Sequence, residues 1–520
     1  MKYDVVIVGG GSAGAVLASR LSEDNARTVA LLEAGPDYPD PETAPDDIRL
    51  LEGLPYYLNV PGAADTSPIP HDWNLSARAV DGESRRMRLP RGKVMGGSGS
   101  INGSMFVRGT PEDFVTWVSE GNEEWSFEKV LPYYCRLERD LDFSNEFHGD
   151  NGPIPVMRMP RDRWEPMDLA FAEACSSLGH PYSSDHNRPG ATGIGPIPRN
   201  SLDKRRMSTA RAYLVSARRR ANLTIMPNCV VQRVLFSAAR AVGVQVERSG
   251  RDEIVYADEI VLCAGAIGSP HLLLLSGVGP PASLERVGVP VVQDLHGVGR
   301  NLRDHPKVLM FWERRQGASL GGLTRAPQTF LRFTAANSAF DNDCRIMFFP
   351  SPVSAELHVS ESMQLALYST AGSGALTLVS SDPRVPPEID FCYLTEEADR
   401  VRFRELIEVA TELGTRQSLR TFLGDRLSPN NEDAITPSSI DTWMRGNVCT
   451  SHHATSTARM GPQSDPNAVV DQYGRVHGLE ALRIADASIM PYNVRQNPNC
   501  TVIMIAERVA DFMRGVTGET

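Results

Sequence analysis

Asp4-Val5-Val6-Ile7-Val8-Gly9-Gly10-Gly11-Ser12-Ala13-Gly14 runs a branched apolar segment straight into a glycine cluster. The apolar part reads as a buried parallel strand. Gly9, Gly11 and Gly14 fit G-x-G-x-x-G, and Ala15-Val16-Leu17-Ala18-Ser19-Arg20-Leu21 behind them reads as a helix. Thr28-Val29-Ala30-Leu31-Leu32 is a second strand, closed by Glu33 and Ala34. Each part has a physical task. Gly9 permits the tight turn, Gly11 lets backbone approach a pyrophosphate, and Gly14 lets helix and strand pack closely. The helix N-terminus, at Ser12 and Ala13, offers free N–H groups and a positive dipole end to phosphates. Glu33 is placed to accept hydrogen bonds from ribose hydroxyls. A glycine turn without function has no need of strand, helix, second strand and terminal acid in this order. The unit alone does not separate FAD from NAD.

Two further segments are dense in small residues. Pro90-Arg91-Gly92-Lys93-Val94-Met95-Gly96-Gly97-Ser98-Gly99-Ser100-Ile101-Asn102-Gly103 would let backbone lie flat against a planar ligand. Val94, Met95 and Ile101 are apolar where a loose linker would be polar. Glu259-Ile260-Val261-Leu262-Cys263-Ala264 reads as another buried strand, and Gly265-Ala266-Ile267-Gly268-Ser269-Pro270-His271 opens a leucine-rich helix after it. His271 reads as a packing or capping residue.

Near the C-terminus, Cys449-Thr450-Ser451-His452-His453-Ala454 precedes Leu482-Arg483-Ile484-Ala485-Asp486-Ala487, a strand and turn. Gln496-Asn497-Pro498-Asn499-Cys500-Thr501 then leads into a final helix, expected from about Val502 to Arg514. His452 and His453 are adjacent, and on an extended segment adjacent side chains point opposite ways. Only one is expected to face a ligand, and His453 is preferred. The pair is not a metal site, because no third ligand has matching spacing. Gly96-Gly97-Ser98-Gly99-Ser100 lacks the last glycine of a hydrolase elbow, which disfavours a serine nucleophile.

The 520-residue chain carries a net charge of −11, with 41% hydrophobic and 22% charged residues. That is an ordinary globular balance, long enough for more than one structural unit. The acidic excess argues against nucleic acid or an anionic membrane as partner. The basic runs Lys204-Arg205-Arg206 and Arg218-Arg219-Arg220 read as solvated faces. Eight cysteines are scattered without C-x-x-C spacing, as buried thiols of a reducing compartment would be. No apolar run reaches the ~18 residues of a membrane span. The expectation is a cytoplasmic protein without a signal peptide.

With these motifs in order, the sequence resembles the glucose-methanol-choline (GMC) oxidoreductases over nearly its whole length. The segment from Gly265 fits the family's second signature. The segment from Pro90 fits its first, with Met95 where another apolar residue is usual. The stretch Gly297-Val298-Gly299-Arg300-Asn301-Leu302-Arg303-Asp304-His305 also looks like the family. The choline dehydrogenase and hydroxymethylfurfural oxidase branch is the most similar. The resemblance implies FAD and a small-molecule alcohol substrate. It implies His453 as catalytic base and Asn497 as its partner at the flavin ring. It places Arg91, Gly96, Gly97, Ser98, Asn102, Gly103, Val231, Ala264, Asp486, Ala487, Asn497, Asn499 and Thr501 at the cofactor, with the Val231 backbone at the adenine. A neutral histidine can take the alcohol proton while hydride leaves the carbon, and an asparagine can hold the same oxygen. The final helix would point its positive end at the flavin. Ile101 stands where relatives with covalent flavin carry a histidine, so the FAD is expected to be non-covalent. Oxygen, a quinone or another acceptor would re-oxidise it.

The expected fold is α/β. A discontinuous Rossmann-like FAD-binding domain would take residues 1–45, 85–155, 202–300 and 465–520. Residues 46–84 would form a connecting excursion. An α+β substrate domain would take 156–201 and 301–464. Its mostly antiparallel sheet would use Lys307–Trp312, Cys344–Phe349, Met363–Tyr368 and Ala375–Val379, with the helix Glu397–Leu413 on one face. Two alternatives stand beside the alcohol oxidase or dehydrogenase: a flavin-binding scaffold or electron-transfer subunit without alcohol oxidation, and an NAD-dependent dehydrogenase. The first would lack a base, and the second leaves the later glycine motifs without a role.

Overall fold

The first strand, Lys2–Val8, is central to a seven-stranded sheet. In this computed structural model the described residues are 2–51, 69–315, 327–336, 338–349, 360–431 and 436–515. Val29–Leu32 and then Leu223–Met226 lie parallel on one side of the first strand. Arg251–Leu262 lies parallel on the other side and also pairs with Leu482–Ile484. Arg240–Arg248 and Cys229–Ser237 extend the sheet as an antiparallel meander. The inner strands are buried on both faces, because the glycine helix Ser12–Leu21 and its neighbours cover them. A Cβ on Gly14 would sit 1.9 Å from the Gly9 carbonyl oxygen, so this helix reaches the strand only with glycine there. Gly9 has φ +101°, a conformation that also favours glycine.

A second seven-stranded sheet runs in the order Leu423–Ser428, Pro306–Arg314, Ser360–Leu367, Cys344–Phe349, Thr329–Phe333, Gly193–Pro196, with Cys449–Thr450 against Pro306–Arg314. All these pairings are antiparallel. The helices Glu397–Thr415 and Pro166–Ser177 pack against it. Arg332 and Arg345 stand directly opposite each other on neighbouring strands, each buried to 1% exposure. Two like charges side by side in an interior are costly unless the surroundings use them.

Two expectations need correcting. Ala375–Thr377 does not join the large antiparallel sheet. It pairs with Glu388–Asp390, which meets the hairpin Leu75–Arg78/Arg86–Leu89 in a separate four-stranded sheet. Strand pairing is non-local, so a run of apolar residues does not reveal its partner. The final helix starts at Pro498, not near Val502. Proline suits a first helical position, where its missing N–H is not needed.

Candidate active site

The glycine turns meet backbone to backbone. Gly96 N–H donates to the Gly10 carbonyl at 2.7 Å. A Cβ on Gly97 would lie 2.7 Å from Gly11 Cα. Ser12 Oγ donates to Asn499 Oδ1 at 2.7 Å, tying the start of the glycine helix to the start of the final helix. Asp486 ties the second glycine unit to the C-terminal strand. Its Oδ2 accepts from Gly265 N–H at 2.8 Å and Ser269 Oγ at 2.6 Å, and its Oδ1 accepts from Ser488 N–H at 2.8 Å.

These turns bound one long cavity of about 1030 Å³ that runs on to the antiparallel sheet. Gly9, Gly11, Ser12, Ala13, Glu33, Ala34, Arg91, Gly97, Ser98, Asn102, Gly103, Val231, Ala264, Asp486, Ala487, Asn497 and Asn499 line it, together with His453. Gly14, Gly96 and Thr501 stand behind the wall. Gly14 serves the helix–strand contact, Gly96 makes the left-handed turn at φ +88°, and Thr501 shares a 2.7 Å hydrogen bond with the Tyr134 hydroxyl. The cavity fits a dinucleotide of FAD size. Its volume matches the upper range of small-molecule sites, and its walls are backbone at the glycine turns where a side chain would clash. Arg91 Nη2 also ends buried without a hydrogen-bond partner in the wall.

At one end of the cavity Glu33 accepts from Gly10 N–H and Gly35 N–H, both at 2.8 Å. Burial pushes its carboxyl up to about 7, although these backbone donors oppose the shift. Glu33 therefore braces the turn as well as facing the ligand space. Cys229–Ser237 carries Val231 past the same end. His271, read from sequence as a packing residue, lines the cavity. Burial lowers its pKa to about 4.

At the other end His453 sits among side chains from several elements. Its Nε2 is 3.0 Å from Asn497 Nδ2, and its Nδ1 is 2.9 Å from His305 Nδ1. The Asp304 carboxylate, buried below, accepts from the backbone N–H of His453 at 2.8 Å and of His305 at 2.7 Å. Tyr393 and Thr450 also donate to it. Burial holds the His453 ring well below the ordinary histidine value, and His305, His452, Arg345 and Arg91 push the same way. At neutral pH the ring is uncharged, the state a proton acceptor needs.

His452 and His453 both contribute to the cavity wall. His452 has φ +68°, so the segment is not extended there and strand alternation does not apply. The two rings still differ. His453 has partners on both nitrogens, whereas both His452 nitrogens are buried without one. The His452 carbonyl accepts from Arg91 Nη1 at 2.8 Å.

The sequence reading missed Arg345, Tyr368 and Lys307. Arg345 Nη1 donates to Asn497 Oδ1 at 2.6 Å and to the Tyr368 hydroxyl at 2.8 Å, and Nη2 donates to Gln496 Oε1. The signal was available: a charged residue inside the apolar run Cys344-Arg345-Ile346-Met347-Phe348-Phe349 must have a buried partner.

Away from the cavity, Glu138, Asp140 and His148 gather with a metal-like spacing. His148 Nδ1 lies 3.0 Å from both Glu138 and Asp140, and Nε2 lies 2.9 Å from Asp185. Burial opposes its charge, but hydrogen bonds to these carboxylates outweigh that and push it up to about 10. An imidazolium that donates from both nitrogens has no lone pair for a metal.

Comparison with known proteins bears on the family. Models of the GMC oxidoreductase N- and C-terminal regions match residues 3–307 and 370–506. An uncharacterised GMC-type oxidoreductase of Rhodococcus erythropolis is 36% identical over 98% of each chain. An oxygen-dependent choline dehydrogenase of Yersinia pestis is 37% identical, over 99% of this chain and 94% of its own. The crystal structure of pyridoxine 4-oxidase from Mesorbium loti superposes with a TM-score of 0.89 at 32% identity, over 99% of both chains. The chain belongs to the GMC oxidoreductase family, as an FAD-dependent enzyme acting on CH–OH donors.

Proposed function

We propose that the chain oxidises an alcohol to its aldehyde or ketone, with His453 as the base that takes the hydroxyl proton. The observation that carries this is the His453–Asn497 pair, 3.0 Å apart on the cavity wall. Bound FAD would supply the hydride acceptor, at its N5 atom. Gly9, Gly11, Ser12 and Ala13 would hold its pyrophosphate, Glu33, Ala34 and Val231 its adenosine, and Asp486, Ala487 and Asn499 its flavin half. Gly97, Ser98, Asn102, Gly103, Arg91 and Ala264 would complete the wall. Asn497 Nδ2 donates toward His453 Nε2 at 3.0 Å, and an alcohol that takes the place of this contact would accept from Asn497 while its O–H donates to His453. The bare Nε2 then takes the proton as the C–H bond breaks. Nδ1–H of His453 stays on His305, which keeps the ring from turning away. The final helix, beginning at Pro498 beside Asn497, brings a positive dipole end to the negative charge that develops. Oxygen or another acceptor would take the electrons afterwards.

Anaerobic mixing of the yellow protein with a panel of alcohols tests the activity. Bleaching by some member of the panel is expected, and no bleaching by any alcohol would refute it.

A further inference from the structure

We infer that Arg345 is a positioning residue that fixes which way the Asn497 amide points, and through it leaves His453 Nε2 as the bare, proton-accepting nitrogen. The inference rests on His453 being the base. An asparagine side chain can turn over and exchange its oxygen for its nitrogen. Here it cannot do so without loss, because Arg345 Nη1 donates to Oδ1 at 2.6 Å and has no acceptor capacity to offer an NH2 group. Nδ2 therefore faces His453 Nε2 at 3.0 Å and donates to it. A nitrogen that accepts carries no proton, so the ring proton is on Nδ1, from which it is donated to His305 Nδ1 at 2.9 Å. One guanidinium thus sets an ordered chain, Arg345 to Asn497 to His453 to His305.

Arg345 is itself locked. Its guanidinium stacks 3.8 Å from the Tyr368 ring centroid and 4.2 Å from that of Phe330, and it donates to the Tyr368 hydroxyl and to Gln496. Among the described residues its hydrogen bonds go to neutral oxygens, and Arg332 stands opposite it on the next strand. Its positive charge is therefore not cancelled by a carboxylate at contact distance. A fold that needed only packing at this point would use an apolar side chain. A cation held there acts on its surroundings, and the group best placed to respond is His453. The other groups that face His453 are His305, His452 and Arg91, which also disfavour its charged form, and Tyr368, whose ring centroid is 5.9 Å away. Asp304 accepts from its backbone N–H.

The charge and the geometry of Arg345 separate in two variants. Arg345→Lys keeps a cation but loses the planar fork; Arg345→Met keeps the stem and loses both. In anaerobic rapid mixing, both should slow flavin reduction roughly ten- to hundredfold, the loss of one charge-assisted hydrogen bond. The pH limb of the rate should stay in place for Arg345→Lys. For Arg345→Met it should move up by about one pH unit, the effect of a unit charge two side chains away at the dielectric of a protein interior. In an Asn497→Ala background the same changes at Arg345 should cost roughly threefold or less, because the orientation they protect is gone. Nitrogen NMR of 15N-histidine protein, with FAD bound, should show His453 protonated on Nδ1 alone in the wild type and in mixed tautomers in Arg345→Lys. Bound flavin and thermal unfolding report whether each variant is folded, and Arg345→Lys is the reference if Arg345→Met is not. Additive losses with Asn497→Ala, or a wild-type His453 protonated on Nε2, would overturn the inference. A normal His453→Ala would instead overturn the reading beneath it.

Discussion

Replacing Glu33 by Gln removes one charge and leaves the shape nearly unchanged, which makes it a sharp probe of the adenosine end. The carboxylate accepts from Gly10 and Gly35 N–H at 2.8 Å each. A glutamine has one acceptor oxygen, so its NH2 must face one of these donors and leave it unsatisfied. The ribose hydroxyls that would donate to the carboxylate also lose a charged acceptor, and such a bond is worth about 1.5–3 kcal/mol, which corresponds to roughly 10- to 150-fold in FAD affinity. The pH dependence follows from the carboxyl's value of about 7 in the protein without ligand. Ribose hydroxyls donate to the ionised form, so FAD binds that form preferentially. The sign is that affinity rises with pH up to about 7 and then levels off. With one proton released per FAD, binding should be about tenfold weaker at pH 6 than at pH 8. The glutamine variant should bind weakly and lose this slope. Titration of apoprotein with FAD, followed by flavin fluorescence at pH 6, 7 and 8, measures both effects. Flavin reduction in the fully loaded variant should stay near the wild-type rate. Wild-type affinity in the variant with an unchanged slope, or full occupancy with a large loss of turnover, would refute the assignment.

Two further outcomes follow from named residues. Ile101, buried in the cavity wall, has no nucleophilic atom, so acid precipitation should release all the yellow colour; flavin held in the pellet would show a covalent bond elsewhere. The His453 ring is held well below the usual histidine value, chiefly by burial. Since the neutral ring is the acceptor, the rate of anaerobic flavin reduction should be flat from about pH 6.5 upward and fall only on the acid side; a limb centred well above neutrality would contradict that environment.

Local chemistry was legible in the amino acids and non-local pairing was not. Gly9, Gly14 and Glu33 declare themselves because turn, helix and acid are neighbours in sequence, and Glu33 accepts from the N–H groups of Gly10 and Gly35 at 2.8 Å. The run Lys307–Trp312 reads as a strand, and Pro306–Arg314 is one. Ala375–Thr377 reads as a strand but not as a member of its own sheet, because its partner, Glu388–Asp390, and the hairpin beyond it are chosen by tertiary packing. The break in extended backbone at His452 is a single positive φ that no residue-type preference announces. Arg345 lies about 150 positions from Asn497 in sequence. Arg345 lies in the antiparallel sheet and Asn497 caps the final helix, so only tertiary packing brings them together.

The central claim, that His453 is the proton acceptor, is tested most directly by anaerobic rapid mixing of alcohol with His453→Ala, Asn497→Ala and His452→Ala. The account predicts that His453→Ala keeps its flavin but is reduced roughly 10²–10⁴-fold more slowly. Asn497→Ala should lose less, since it removes an oxygen-holding bond rather than the acceptor, and His452→Ala should lose least. A His453→Ala protein that bleaches at the wild-type rate while His452→Ala is slow would reverse the two histidines, and normal rates in both would place the base elsewhere.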